Sequence, residues 1–340
     1  MTTDLLPSFG KYSEIRRLGE GGFGEVYRAV DTTLNRAVAL KVPHRELLRD
    51  PSFAAQFRAE AQTAAQLDHP NIVRIYSVGE LEGTPFIEME LVEGQTLADL
   101  IRQKGRLSVE EALAITESVC AALEEAHAKG IVHRDIKPEN ILVRTGDGRV
   151  LVTDFGLAKS RESSFQASLS SSNVVVGTFR YMPPEQANRK LGEVGSRSDV
   201  YSLGVVLYEM LTGRVPFESK SVGQLIYAHT TESPEPPSNV NIGLSQAVES
   251  VVLKALHKRP EDRFASAKTL AQALRLALAK DQIVPGVYPE KPMIKAPAQA
   301  PSVPSVSSVS SVSSVSSVSP VSSVPSVSSA TSARSNPGLI

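Results

Sequence analysis

Residues 130–143, which read GIVHRDIKPENILV, form a polar loop that could carry out chemistry. Its His, Arg, Asp, Lys, Glu and Asn residues lie between two apolar groups, Ile-Val and Ile-Leu-Val, which are typical of short buried strands. Because holding so many ionisable groups beside buried strands costs solvation energy, a functional site explains the loop better than a solvated turn does. Asp135 could accept a proton, and Asn140, five residues later, could bind a hard cation through its amide oxygen.

The composition is that of a globular protein without a strong charge bias. The chain has 340 residues, 41% hydrophobic and 21% charged, with a net charge of −1. We therefore expect no nucleic-acid partner and no general attraction to acidic membranes. The single cysteine, Cys120, excludes an intrachain disulfide and a zinc site of several thiolates. Without a secretory signal or an apolar run of about 18 residues, the sequence predicts a cytoplasmic protein with no membrane span.

A glycine cluster near the amino terminus, GEGGFGEV at residues 19–26, could enclose a phosphate. Glycines allow positive φ and let backbone N–H groups approach phosphate oxygens closely. Dinucleotide-binding folds use the same Gly-x-Gly-x-x-Gly spacing, but there the glycine loop opens a helix. Here the chain continues as a strand over residues 25–29 and then reaches Val-Ala-Leu-Lys at 38–41. This order favours a hairpin over the phosphates followed by a lysine on a strand.

Together these motifs resemble the eukaryotic-like (Hanks-type) serine/threonine protein kinases, in the form that bacteria use. Residues 133–140 match the family's His-Arg-Asp-x-x-x-x-Asn catalytic loop, and residues 154–156 match its Asp-Phe-Gly motif. Residues 177–185, GTFRYMPPE, are similar to the segment that ends in Ala-Pro-Glu, with Pro183 in place of the alanine. The resemblance extends from residue 12 to about residue 278.

The resemblance implies an α+β fold of two lobes with ATP between them. The N-lobe, about residues 12–93, would be a small antiparallel sheet with one main helix, and the C-lobe, about residues 94–278, would be mainly helical. Residues 1–11 are interpreted as a short leader and residues 279–340 as a disordered tail of repeated Ser-Ser-Val. The tail could be a linker, a phosphate-accepting segment or a docking tail.

The catalytic roles follow from the resemblance. Asp135 would orient the substrate hydroxyl and accept its proton, and Lys137 would neutralise charge on the transferred γ-phosphoryl group. Asn140 and Asp154 would bind Mg²⁺, for which Mn²⁺ could substitute. His133 is expected to have a structural role, since the family uses the aspartate as the base.

ATP would contact a further set of residues. Lys41 lies in an apolar strand, where its charge needs a partner, and Glu60 on the helical stretch 53–67 is the candidate. The alternative is that Glu60 is an ordinary surface residue. By resemblance, Met89 lies behind the adenine, and the backbone of Glu90 and Val92 bonds to its edge. The complete set of expected ATP-binding residues is Leu18, Gly19, Gly21, Gly22, Gly24, Val26, Ala39, Lys41, Glu60, Met89, Glu90, Val92 and Leu142.

A serine-rich segment at residues 157–176 resembles an activation loop, in which Arg134 would bind an added phosphate. A serine-rich loop without a regulatory role is the alternative. Thr178 resembles the threonine that bridges the catalytic Asp and Lys and, with Lys137, favours serine/threonine over tyrosine specificity. The expected partners are protein substrates, with a second copy of the chain as a candidate for autophosphorylation. The candidate phosphorylation sites are Ser163, Ser164, Ser168, Ser170, Ser171 and Ser172.

Three positions outside the motifs carry structural predictions. Glu185 is expected to pair with a buried Arg263. Asp199 is expected to bind backbone N–H groups of the catalytic loop, or alternatively to cap its own helix. Glu88 lies where an apolar residue is usual, so either that face of the strand is wet or the carboxylate has a partner.

Two other classes of protein share this fold. A catalytically silent scaffold usually lacks one of the lysine and aspartates that are present here as Lys41, Asp135 and Asp154. A small-molecule kinase would lack the peptide-docking segment at residues 178–185. Both features favour an active protein kinase.

Overall fold

The computed structural model describes residues 9–21, 24–81, 83–155 and 176–282, which form a sheet lobe followed by a helical lobe. Several predictions lie outside these residues. They concern residues 1–8 of the leader, Gly22, Gly156 of the Asp-Phe-Gly motif, the Ser-Ser-Val tail, and the candidate phosphorylation sites Ser163, Ser164, Ser168, Ser170, Ser171 and Ser172.

Five antiparallel strands form the sheet of the first lobe, in the spatial order β1-β2-β3-β5-β4. Between β4 and β5, Gly83 adopts a φ of 79°, a backbone conformation that glycine accommodates without strain. The strands are β1 (Tyr12–Gly21), β2 (Gly24–Asp31), β3 (Arg36–Pro43), β4 (Ile75–Leu81) and β5 (Thr84–Glu90).

One helix, α1 (Pro51–Ala64), packs on this sheet. Its first turn is capped by the Asp50 carboxylate, which accepts a hydrogen bond from the Ser52 backbone N–H at 2.9 Å. Phe53, Phe57 and Ala61 form its buried face and pack with Ile87 of β5. The predicted helix and its apolar face are therefore confirmed.

The folded domain begins before residue 12. Phe9 forms an isolated bridge with Tyr12, and its ring lies edge-on to Phe86 with 5.3 Å between centroids. Lys11 Nζ donates to the Asp31 carboxylate at 2.8 Å. Residues 9–11, placed in the leader by the sequence, are held by these long-range contacts, which no local pattern indicates.

Glu88 is a carboxylate buried in the sheet lobe, with 1% of its surface exposed. Its oxygens accept hydrogen bonds from Ser77 Oγ at 2.7 Å, Tyr12 OH at 2.9 Å, and both Lys11 Nζ and Arg36 Nη2 at 3.2 Å. Of the two explanations left open, a partner for Glu88 is therefore correct. Burial acts to raise the pKa of Glu88, but the hydrogen bonds outweigh burial and hold the pKa below its usual value.

We expect Glu88→Gln to lower the free energy of unfolding by about 1–3 kcal/mol at neutral pH, because the amide leaves buried donors without their acceptor. Since the folded-state pKa is depressed, the carboxylate stabilises the fold above its unfolded pKa of about 4.3. This contribution is lost as the pH falls through the folded pKa. Urea unfolding from neutral to about pH 3.5 should therefore show a shrinking difference from the wild type. A difference independent of pH would contradict this account, and Glu80→Gln, at a surface ion pair with Arg58, is the control.

The second lobe is helical around one apolar core. A small sheet of β6, β7 and β8 lies at its junction with the first lobe. The described elements are β6 (Gly94–Thr96), α2 (Leu97–Lys104), α3 (Val109–Ala128), β7 (Ile141–Arg144), β8 (Val150–Val152), α4 (Pro184–Ala187), α5 (Ser196–Thr212), α6 (Val222–Thr231), α7 (Pro237–Val240), α8 (Gln246–Ala255) and α9 (Ala267–Gln282).

A capping box formed by Ser108 and Glu111 opens α3, and α5 is almost completely buried. Two elements differ from the sequence-based expectations. Helix α6 was not predicted, because its Val, Ile, Tyr and Thr residues have little helix propensity. In addition, α9 continues to Gln282, past the predicted domain end at residue 278.

Ile131 and Val132 do not form a strand, so that prediction was wrong. Gly130 adopts a φ of 71°, and the Ile131 N–H donates to the Ala126 carbonyl oxygen at 2.9 Å. The Ile131 amide thus closes the carboxyl end of α3, which removes it from any sheet ladder.

Candidate active site

The catalytic loop is held by one buried carboxylate. Asp199, on the first turn of α5 and 0% exposed, accepts the backbone N–H groups of His133 at 2.9 Å and Arg134 at 2.8 Å. The same carboxylate lies 2.8 Å from His127 Nε2 at the end of α3. The interpretation that Asp199 binds the catalytic loop is confirmed. The contact with His127 adds a third group to those that hold the Asp199 carboxylate.

His133 is a fully buried connector between the catalytic loop and the residues after β8. Its Nδ1 accepts the Asp135 backbone N–H at 3.2 Å, and its Nε2 lies 2.9 Å from the Thr153 carbonyl oxygen. Its ring packs edge-on against Phe155, 4.7 Å between centroids. Burial lowers the pKa of His133, so the neutral ring donates through Nε2–H. This supports the predicted structural role.

Two side chains from the same loop orient the Asp135 carboxylate, which is 8% exposed. Asn140 Nδ2 donates to Asp135 Oδ2 at 2.9 Å and to its carbonyl oxygen at 2.8 Å. Lys137 Nζ lies 3.1 Å from the same Oδ2. The predicted base, cation and amide are therefore brought together by the 3₁₀ turn Pro138–Asn140.

Asn140 and Asp154 flank the same end of the paired strands β7 and β8. Ile141 faces Val152 across this ladder, and the Asn140 carbonyl oxygen accepts the Thr153 N–H at 3.0 Å. Asn140 thus comes immediately before one strand, and Asp154 follows the other. Asp154 has a φ of 68°, an uncommon backbone conformation for a residue other than glycine.

Lys41 joins this group from the other lobe. Its strand β3 pairs with both β2 and β5, and its Nζ lies 2.6 Å from Asp154 Oδ1. Glu60 of α1 is 6% exposed and accepts a hydrogen bond from Gln56 Nε2 at 2.9 Å. The buried position of Glu60 excludes the surface alternative, while the Lys41–Glu60 pair stays a prediction.

The residues expected around adenine share one apolar cluster at the junction of the lobes. Leu18 on β1 is 55% exposed and lies outside this cluster. Val73 and Leu151 were not predicted, because a single apolar residue near a strand gives no sign of which cluster it joins. The cluster contains the predicted Val26, Ala39, Met89, Val92 and Leu142 together with Val73, Ile75, Leu91 and Leu151.

Among the glycines of the hairpin that the structure describes, Gly24 is required by packing. A Cβ on Gly24 would lie 2.1 Å from the Val42 carbonyl oxygen of the neighbouring strand. In contrast, a Cβ on Gly19 would meet no atom within 4 Å. Gly21 is held at its carbonyl oxygen, 2.8 Å from His44 Nε2.

We expect Gly24→Ala to separate β2 from β3 locally and to lower the free energy of unfolding by about 1–3 kcal/mol, as overpacking commonly does. Gly19→Ala is the matched control and should change stability by less than about 0.5 kcal/mol. Urea unfolding without nucleotide measures both variants. Equal effects of the two substitutions would contradict the role assigned to Gly24.

The donor set suits a hard divalent cation that is bound together with phosphates. Both hydrogen bonds described for the Asn140 side chain use its nitrogen, so the amide oxygen could act as a metal ligand together with the Asp154 carboxylate. Within residues 9–21, 24–81, 83–155 and 176–282, no cluster of three His, Cys, Asp or Glu residues could hold a metal. Mg²⁺ commonly uses one or two protein ligands plus substrate phosphates, so this donor set fits it.

The segment that ends at Glu185 is fixed to the helical lobe by a buried ion pair. Arg263 Nη1 and Nη2 donate to the two Glu185 oxygens at 2.7 Å each, and both side chains are 0% exposed. The predicted Glu185–Arg263 pair is confirmed. Thr178 lies in the 3₁₀ turn Val176–Tyr181, and its side chain is outside the described part.

Comparison with known proteins agrees with this geometry. The family model described as "Protein kinase domain" matches residues 12–274. The chain is 46% identical over 254 residues to the serine/threonine-protein kinase PknB of Mycobacterium leprae, covering 74% of this chain and 40% of that protein. It is 28% identical, with a TM-score of 0.64, to the crystal structure of the Mycobacterium tuberculosis PknI kinase domain, which covers 81% of this chain and 100% of that one.

A further solved structure, Rad53 1-466 in complex with AMP-PNP, is 26% identical, with a TM-score of 0.64, covering 78% of this chain and 65% of that one. The chain therefore belongs to the protein kinase family. Its relatives confirm the predicted bacterial Hanks-type serine/threonine branch. The chain spans 40–51% of the length of such curated relatives. None of the helices in the part described here is long and apolar enough to cross a membrane.

Proposed function

We propose that this chain transfers the γ-phosphoryl group of ATP to serine or threonine hydroxyls of proteins, with Asp135 as the residue that receives the hydroxyl proton. The observation that carries the proposal is the convergence of Lys41, Asp135, Asn140 and Asp154 at one cleft between the lobes. The four groups come from three separate segments of the chain, the strand of Lys41, the loop of Asp135 and Asn140, and the residues after β8, and an ordinary solvated loop would not bring these segments together.

Positioning is the main task that this chemistry sets for the protein, because the transition state of phosphoryl transfer is loose. The Asp135 carboxylate, held by Asn140 and Lys137, would align the acceptor hydroxyl and take its proton as the new P–O bond forms. The bond to the ADP oxygen breaks in the same step. Lys137 would offset the charge of the γ-phosphoryl oxygens.

Asn140 and Asp154 would hold Mg²⁺, or Mn²⁺ in its place, and Lys41 would bind the α- and β-phosphates. When bound, the cation would neutralise part of the negative charge on the phosphates. Gly19, Gly21, Gly22 and Gly24 would offer backbone N–H groups to the phosphates, and the apolar cluster around Met89 would receive the adenine.

Specificity and control belong to the same proposal. Thr178 would bridge Asp135 and Lys137 and select serine or threonine, and Arg134 would bind a phosphate added to residues 163–172. A second copy of the chain is the proposed partner for that autophosphorylation. We place the activity in the cytoplasm, where ATP is abundant.

The proposal is tested by incubating the chain with ATP labelled at the γ-phosphate, Mg²⁺ and myelin basic protein as a general acceptor. We expect labelled phosphoserine and phosphothreonine, loss of transfer on chelation, and recovery with Mg²⁺ or Mn²⁺. Mass spectrometry of the same sample locates phosphate on the chain itself. Label only on tyrosine would overturn the specificity, and nucleotide binding without any transfer would support the scaffold alternative.

A further inference from the structure

His229 lies where three elements of the helical lobe meet, and it is 0% exposed. It projects from α6 toward α5, where Tyr201 OH lies 2.8 Å from its Nδ1. The ring of Phe217 packs edge-on against it, with 5.1 Å between centroids. No role in catalysis or nucleotide binding explains a buried histidine at this position.

The hydrogen-bond network determines which ring nitrogen carries the proton. Burial raises the pKa of Tyr201, so its phenol keeps the proton and donates it to Nδ1. Burial first, and then the charge of Lys258, lower the pKa of His229 to about 3. The ring is therefore neutral at physiological pH, with its proton on Nε2.

The ring of His229 adjoins the turn Val176–Tyr181, because the Phe217 ring that packs against it belongs to the same apolar cluster as Phe179. Nε2 is buried and has no aligned hydrogen-bond partner among the described residues. The backbone groups of Phe179 and Arg180 act to raise the pKa of His229, as carbonyl acceptors facing a ring N–H do. Such a buried donor beside adjacent acceptors is poised to form a hydrogen bond with a small change in that turn.

The side chains of the turn pack on the same helix. Phe179 and Met182 form an apolar cluster with Phe217, Leu225 and Ala228. Lys258 closes the other side, where its Nζ donates to the Ala228 carbonyl oxygen at 3.1 Å and lies 4.5 Å from the centre of the Phe217 ring. Thus α6 contacts the peptide-docking segment through apolar side chains, and the His229 Nε2–H adds a hydrogen-bond donor to this contact.

We propose that His229 is a positioning residue for the protein substrate, and that its Nε2–H holds the main chain of Phe179 and Arg180 in the arrangement that binds the acceptor. This inference rests on the proposed function and assigns a determinant of acceptor binding to the same site. His229 touches neither nucleotide nor acceptor hydroxyl, so it acts on acceptor affinity and leaves the chemical step unchanged.

Steady-state kinetics of the full chain with myelin basic protein test the inference. His229→Leu removes both polar functions, and we expect its KM for the acceptor to rise about tenfold, as the loss of one buried hydrogen bond would cause. The kcat and the KM for ATP should stay within about twofold of wild type. His229→Gln keeps a donor and should recover most of the affinity. The control is His257→Leu, at an exposed histidine of the same lobe.

A purely structural role would instead lower the fraction of active enzyme, and so kcat, in both His229 variants with the acceptor KM unchanged. That result would overturn the inference. If the wild-type chain transfers no phosphate, the proposed function is refuted. The inference about His229 is then tested by a measurement that does not require catalysis. Backbone hydrogen exchange over residues 176–187 should be faster in His229→Leu than in wild type, and close to wild type in His229→Gln. Equal exchange in all three proteins would overturn the inference as well.

Discussion

Asp135→Asn is expected to reduce kcat by about 10²- to 10⁴-fold, the range that a positioned general base contributes. Asparagine has nearly the same shape and can still accept the hydrogen bond from Asn140 Nδ2. It cannot take the hydroxyl proton, and it loses the ion pair with Lys137. Steady-state kinetics with a protein acceptor measure the effect, which corresponds to about 3–5 kcal/mol of transition-state stabilisation.

Nucleotide binding separates this effect from loss of structure. Lys41 and Asp154 lie beside Asp135 but belong to other segments, so we expect the affinity for ATP to change by less than about threefold. Asp68→Asn is the matched control, since this aspartate is 75% exposed and pairs only with Arg74 among the described ion pairs. A kcat of Asp135→Asn within about tenfold of wild type would refute the assigned role.

Glu185→Gln is expected to lower the free energy of unfolding by about 3–5 kcal/mol, because it leaves the Arg263 guanidinium buried without a counter-ion. Domains of ordinary stability unfold with only about 5–15 kcal/mol, so this is a large share. Ser198 Oγ also donates to Glu185 Oε1, at 2.6 Å, and would lose a charged acceptor. Urea unfolding at neutral pH measures the loss.

The pair Arg214–Glu235 provides the matched control. Its distance is also 2.7 Å, but its side chains are 53% and 45% exposed, so Glu235→Gln should cost less than about 1 kcal/mol. Arg263→Lys is expected to be costly too, because the guanidinium also donates to the carbonyl oxygens of His257 and Lys258. If the buried and exposed substitutions cost the same, burial is not the source of the stability.

Both predictions concern one mechanical arrangement. The Glu185–Arg263 pair fixes the start of α4 against the helical lobe, while Asp199 fixes the catalytic loop from the amino end of α5. The segment that ends at Glu185 and the catalytic loop are thus both bound to α5, the first through Ser198 and the second through Asp199. Under the proposed function, this connection would keep the acceptor aligned with Asp135.

The sequence by itself determined the family, most elements of the fold and the candidate catalytic residues. Asp135, Asn140, Asp154 and Lys41 could be proposed as site residues because each lies in a short motif that is defined by residue type and spacing, which can be recognised without knowledge of packing. The capped helix α3 and the strands of the first lobe were predictable for a similar reason, since caps and alternating apolar residues act locally.

Only the tertiary structure decided which distant groups meet. In the folded protein, Glu88 accepts hydrogen bonds from four donors, residues 9–11 contact the sheet lobe, and Lys41 pairs with Asp154. The predicted strand at Ile131 does not form, because the Ile131 N–H closes the carboxyl end of α3. The tertiary structure also formed α6, whose local propensity is weak and whose stability comes from packing on Phe179 and Met182. Contacts between remote segments depend on how whole elements pack, and no local pattern of residues encodes that arrangement.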